Sequence, residues 1–177
     1  MGIVVFGCKQ STVDLITHLE LLTEMRLTLI TVSENVAERN HIAGYRDLRN
    51  YSLRGDVIVV DDYTLSSNLP DVLQTQQSIG FVMGWQRLIP SRVLNNFSVG
   101  VFGMHGSATN LPEGRGRSPL NWALIEGRKQ FYTNLFKYNP GVDDGDILDT
   151  YKFSIGERDT IETLHFKNTL AMLSLIE

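Results

Sequence analysis

Five short apolar runs, at residues 3–6, 27–32, 57–60, 79–83 and 99–104, most constrain what this chain can become. The last three are short, apolar and bounded by Gly, Asp or Asn, the pattern of strands covered on both faces. Helical signals lie between the first runs. Val13, Ile16, Leu19 and Leu22 form a stripe at helical spacing behind Ser11-Thr12-Val13-Asp14, which reads as a capping box, and a polar helical segment follows over 36–45. Short strands alternating with helices predict βαβ units around a mostly parallel, twisted sheet with helices on both faces. Beyond residue 127 the pattern changes. Runs at 131–138 and 147–155 flank a turn rich in Pro, Gly and Asp, which predicts an antiparallel addition. Asp159-Thr160-Ile161-Glu162 then reads as a capping box opening a last helix still running at Glu177. The expectation is α/β, one domain over 1–177, with no second domain after it.

Composition narrows the function. The 177 residues suffice for one substantial core, and a net charge of −4 argues against a protein whose task is gripping nucleic acid. No apolar run reaches membrane-spanning length and no signal peptide precedes the first strand. A single cysteine, Cys8, reads as a small buried residue and fits a reducing, cytoplasmic setting. His18, His41 and His165 fall in helical patterns without paired ligands, so no metal site is expected.

Chemistry concentrates after the fifth run. His105 directly follows it, Arg115 and Arg117 stand in a Gly-rich loop, and Ser118-Pro119 signals a helix start with Ser118 as N-cap and Gly127 as stop. A titratable group is thus expected just past a strand's carboxyl end, where open α/β sheets bind ligands. Alone, His105 reads more readily as a hydrogen-bonded histidine closing a strand than as a catalytic group. Asp144 and Asp146 read as turn residues, and Trp122 as a core aromatic.

Three separated blocks agree on more. Trp85-Gln86-Arg87-Leu88-Ile89-Pro90, the stretch from His105 to Trp122, and Gly141-Val142-Asp143-Asp144-Gly145-Asp146 resemble the folate-dependent formyltransferases. These include the methionyl-tRNA, glycinamide ribonucleotide and sugar-nucleotide enzymes. Arg117-Ser118-Pro119-Leu120-Asn121-Trp122 looks especially like the aminoarabinose formyltransferase domain and its sugar-modifying relatives. The resemblance is strongest over 81–160 and implies a Rossmann-like formyltransferase fold.

It also implies that 10-formyltetrahydrofolate is the co-substrate, with His105 as catalytic histidine and Asp143 as the carboxylate that orients it. Arg87, Leu88 and Ile89, with Arg117 and the Asn139, Pro140, Gly141 and Val142 turn, would line the pterin pocket. The implied acceptor is a small-molecule primary amine, best an amino sugar on a nucleotide carrier, with an amino-acid or ribonucleotide amine as alternatives. A folate- or nucleotide-binding module without catalysis is the rival from another class. Neither nucleic acid nor membrane is an expected partner, and homo-oligomerisation stays open. Two departures stand out. The family's asparagine two places before the histidine is Gly103 here, and the loop over 107–111 is longer, carrying Ala108-Thr109-Asn110. Asn110 is the candidate to supply the lost amide to the oxyanion of formyl transfer.

Overall fold

A computed structural model describes residues 2–177. Among the described residues, seven strands and five α-helices follow in the order β1 (Ile3–Phe6), α1 (Gln10–Leu22), β2 (Leu27–Val32), α2 (Glu34–Arg39), β3 (Gly55–Val60), β4 (Gln77–Val82), α3 (Ser91–Leu94), β5 (Phe97–Ser107), α4 (Pro119–Ile125), β6 (Gln130–Lys137), β7 (Ile147–Ser154) and α5 (Ile161–Ser174), with a 3-10 turn at Asp71–Leu73 between β3 and β4. The chain divides into two compact units, Met1–Phe102 and Gly103–Glu177. The α/β class, the parallel pairing and the antiparallel C-terminal pair are all as the sequence predicts.

In the first unit the strand order is β3-β2-β1-β4-β5. β1 pairs parallel with both β2 and β4, and β2 pairs parallel with β3. All four β1 residues are buried, as a central strand covered on both faces requires. β3 lies at the edge of this order, and Val59 there is 40% exposed. β4 starts earlier than its apolar run because Gln77 is buried with its amide satisfied, donating to Val72 O at 3.1 Å. α1 begins one residue before Ser11, so Ser11 does not cap it. Lys9 is the N-cap, and its backbone N–H donates to the Thr12 hydroxyl at 3.2 Å. α2 is only six residues long and ends at Arg39. His41 lies outside any helix with φ 50°, and Tyr45 forms a bridge with Lys9, so the helix expected over 36–45 starts two residues earlier and ends at Arg39.

In the second unit the order is β5-β6-β7, with β6 and β7 antiparallel. Its core gathers Leu120, Ala123, Phe131, Ile155 and Leu164. Fully burying a phenylalanine such as Phe131 stabilises by roughly 1.5–3 kcal/mol. Leu120 and Ala123 take the buried face of α4, which leaves Trp122 57% exposed and not in the core. Ser118 precedes α4 in a left-handed conformation, φ 58° and ψ 41°, and makes no side-chain cap. Gly127 stops the helix with φ +62°, its N–H reaching Leu124 O. The box at α5 is formed by Thr160 and Thr163, whose hydroxyls accept from each other's backbone N–H. Asp159 and Glu162 do not form it; Asp159 instead holds Lys167 at 2.6 Å. α5 ends at Ser174, short of Glu177.

Candidate active site

β5 carries the centre of the candidate site. The strand continues through Ser107, so His105 lies inside it and not beyond its end. Sheet pairing holds this polar tail in strand form although its apolar run stops at Met104. Alternation along a strand puts Gly103, His105 and Ser107 on one face, and all three are buried.

Both ring nitrogens of His105 face oxygen. Nδ1 lies 3.4 Å from Oδ1 of Asp143, and Nε2 lies 2.9 Å from the carbonyl oxygen of Gly114. A carbonyl only accepts, so Nε2 carries the proton in that contact. The 3.4 Å separation exceeds an ordinary N–H···O bond and is an ion-pair contact available to the imidazolium. Asp143 adopts a left-handed backbone, φ 44°, in the turn between β6 and β7. Its second oxygen, Oδ2, accepts from Gly116 N–H at 2.9 Å. One carboxylate thereby holds both the imidazole and the loop that follows β5. Arg115 adds a bridge from that loop to Asp144 at 3.2 Å, exposed on both sides and worth at most about 1 kcal/mol.

Glycine is required at 114. With φ +75°, an added Cβ would meet Ser107 Oγ at 1.7 Å. Beside this loop lies a cleft of about 220 Å³, lined among others by Thr109, Arg117, Trp122, Glu126 and Arg128. Arg128 is paired with Glu126 at 2.8 Å.

Tyr138, which the sequence did not single out, belongs to this site. It follows β6, stacks on Phe136 with ring centroids 5.0 Å apart, and covers Gly103. A Cβ at 103 would lie 2.1 Å from Cε2 of Tyr138 and 3.0 Å from its hydroxyl. Burial pushes the Tyr138 hydroxyl pKa well above the ordinary tyrosine value, and the charge of Asp143 adds to this. Gly103 was the available signal: a residue without a side chain beside a buried histidine leaves space that something must fill.

The remaining candidates are dispersed. Arg87, in the first unit, lies over the Tyr63 ring at 5.1 Å and donates to Asn40 Oδ1 at 3.4 Å. Leu88 is 47% exposed, whereas the Ile89 side chain is buried. In the second unit, Asn139 N–H donates to Asp144 O at 2.9 Å, Pro140 is exposed, Gly141 packs on the Asp144 side chain, and Val142 is exposed. Asn110 is exposed and makes no hydrogen bond to His105 or Asp143 among the described residues. Also among the described residues, no group of three or more His, Cys, Asp or Glu could hold a metal ion, and no helix is long and apolar enough to cross a membrane.

Residues 54–171 match the formyl transferase family model. The chain belongs to the formyl transferase family. Among relatives in that family, the methionyl-tRNA formyltransferase of Bacteroides fragilis is 27% identical over 148 residues, covering 78% of this chain and 43% of that protein. This chain therefore spans less than half the length of that curated relative. Two solved formyltransferases share the fold. Phosphoribosylglycinamide formyltransferase from Bacillus halodurans aligns with a TM-score of 0.70 and 22% identity, over 98% of this chain and 90% of that one. The N-formyltransferase from Helicobacter canadensis, solved with folinic acid and dTDP-3-aminofucose, aligns with a TM-score of 0.67 and 18% identity, over 99% and 61%.

Proposed function

We propose that this chain transfers the formyl group of 10-formyltetrahydrofolate to a primary amine, with His105 and Asp143 handling the protons. The observation that carries the reading is the 3.4 Å contact between Nδ1 of the buried His105 on β5 and Oδ1 of Asp143 in the β6–β7 turn. An imidazole can both accept and donate a proton near neutrality, and a carboxylate beside it fixes the orientation of the ring. Acceptor binding displaces the Gly114 carbonyl from Nε2, and the ring proton relocates through solvent exchange to Nδ1, which faces Asp143; Nε2 then takes the amine's proton and returns it to the departing folate nitrogen.

On the folate side we assign Arg87, Leu88 and Ile89 together with Arg117 and the turn of Asn139, Pro140, Gly141 and Val142. The exposed apolar side chains Leu88 and Val142 suit contact with a flat heterocycle. Ile89, buried, contributes its backbone. The acceptor we favour is an amino sugar on a nucleotide. Support comes from the sugar-enzyme look of residues 117–122 and from the cleft beside them, where Arg117 and exposed Trp122 suit a ligand with an anionic group and a ring. A methionyl-tRNA formyltransferase is similar in sequence and a phosphoribosylglycinamide formyltransferase in fold, so the amines those names imply are the competitors. A location in the cytoplasm is part of the same proposal.

The test is calorimetric titration with folinic acid, followed by incubation with 10-formyltetrahydrofolate and a panel of amines: nucleotide-linked amino sugars, glycinamide ribonucleotide and amino acids. Folate binding with tetrahydrofolate released only when a sugar nucleotide is present is the expected result. Binding without release for any amine identifies a folate-binding module instead.

A further inference from the structure

Formyl transfer builds negative charge on one atom, and the site must answer it. As the amine attacks the formyl carbon, a C–N bond forms and the carbonyl π pair moves onto oxygen. Collapse of that tetrahedral oxyanion re-forms C=O and breaks the bond to the folate nitrogen, which receives the proton released by the amine. A hydrogen-bond donor fixed at the oxyanion lowers the barrier for both halves. Residue 103, two places from His105 on the same strand face, has no side chain to donate.

We infer that Tyr138 is the oxyanion donor of this site, its hydroxyl standing where a side chain on residue 103 would reach. The inference rests on the reaction assigned under Proposed function. Three observations carry it. The ring occupies the space above Gly103 so closely that even a Cβ there would meet Cε2 at 2.1 Å. The hydroxyl lies 3.0 Å from that Cβ position, one alternate strand position from the imidazole, a step of about 6–7 Å along the strand. That span accommodates a reacting carbonyl between the hydroxyl and the ring.

The third observation is that the ring is held in place. It stacks on buried Phe136, with an interplanar angle of 18°, so the donor is oriented before substrate arrives. Burial and the neighbouring Asp143 charge both disfavour the phenolate. The hydroxyl therefore keeps its proton near neutral pH, and it acts by donating a hydrogen bond with no net proton transfer. Asn110, by contrast, is exposed in the loop and is not tied to His105.

Tyr138→Phe removes the hydroxyl and leaves the ring that packs on Gly103. Steady-state kinetics with 10-formyltetrahydrofolate and the best amine should show kcat falling on the order of a hundredfold, with the folate KM within about threefold of native and the melting temperature unchanged. In a Tyr138→Ala background, Gly103→Asn should recover at least about tenfold of the lost kcat by placing an amide in the vacated space. Native turnover in Tyr138→Phe overturns the inference and leaves the formyltransferase reading intact. So does a loss of kcat confined to Asn110→Ala, which gives the donor role to Asn110. A native protein that transfers no formyl group to any amine overturns both.

Discussion

His105 on β5 and Asp143 in the β6–β7 turn meet at 3.4 Å, and the same carboxylate holds Gly116 N–H at 2.9 Å. The ion pair is therefore also a loop anchor. Substitutions at Asp143 act on the proton chemistry and on the loop together, and the two effects separate by choice of variant.

Asp143→Asn keeps an oxygen able to accept from Gly116 and removes the charge facing Nδ1. It should lower kcat by about a hundredfold or more, the usual scale of general acid–base catalysis, while folate affinity changes little. Comparing kcat for formyl transfer with the folinic acid Kd from calorimetry checks this. Equal losses in both would make Asp143 a binding residue.

Gly103→Ala drives a methyl group into the Tyr138 ring, whose Cε2 lies 2.1 Å from the Cβ position. Overpacking of this kind costs about 1–3 kcal/mol. Urea denaturation should show the cost, and in a Tyr138→Ala background the same substitution should be nearly neutral. Additive losses in that double-mutant cycle would mean the two positions do not touch.

Gly114→Ala sets an L side chain at φ +75° against Ser107 Oγ. The left-handed backbone alone costs roughly 1–2 kcal/mol, and the clash moves the carbonyl that meets Nε2 of His105. The expected outcome is a lower melting temperature with a larger fall in kcat than in folate affinity. Crystallography of the variant would show the Gly114 carbonyl displaced from the imidazole.

Burial pushes the Cys8 thiol from its ordinary 9.0 up to about 11, a rise that nearby Lys9 opposes. Iodoacetamide at pH 8 should leave the native protein unmodified, while protein unfolded in urea reacts fully. The linkage sign follows. A folded state that favours the protonated thiol holds this contribution in full below pH 9, and loses it as pH rises toward 11. Rapid labelling of the native protein at pH 8 would contradict the burial of this group.

The sheet was legible because apolar runs with strand length have few other solutions. The first five strands and the antiparallel pair lie within a few residues of where periodicity puts them. Element ends were not, and each miss has a local cause. β4 absorbs Gln77 because its amide donates to the Val72 carbonyl and the Thr75 hydroxyl. β5 carries His105 because pairing outlasts hydrophobicity. α2 stops early because His41 takes a left-handed backbone. Trp122 lies on the exposed face of α4 because Leu120 and Ala123 hold the buried one. The approach of His105 to Asp143 was readable through family-like motifs. The packing of Tyr138 over Gly103 was not, because a cross-strand contact depends on register, which spacing along the chain does not encode.

The most direct measurement follows a labelled formyl carbon from 10-formyltetrahydrofolate into a nucleotide-linked amino sugar, with native protein, His105→Ala and Asp143→Asn run side by side. The expected result is a labelled formamide product from the native protein, with initial rates at least about a hundredfold lower in both variants at unchanged melting temperature. Label transferred at native rates by His105→Ala, or never transferred by the native chain to any amine, would contradict the assignment of formyl transfer to the His105–Asp143 pair.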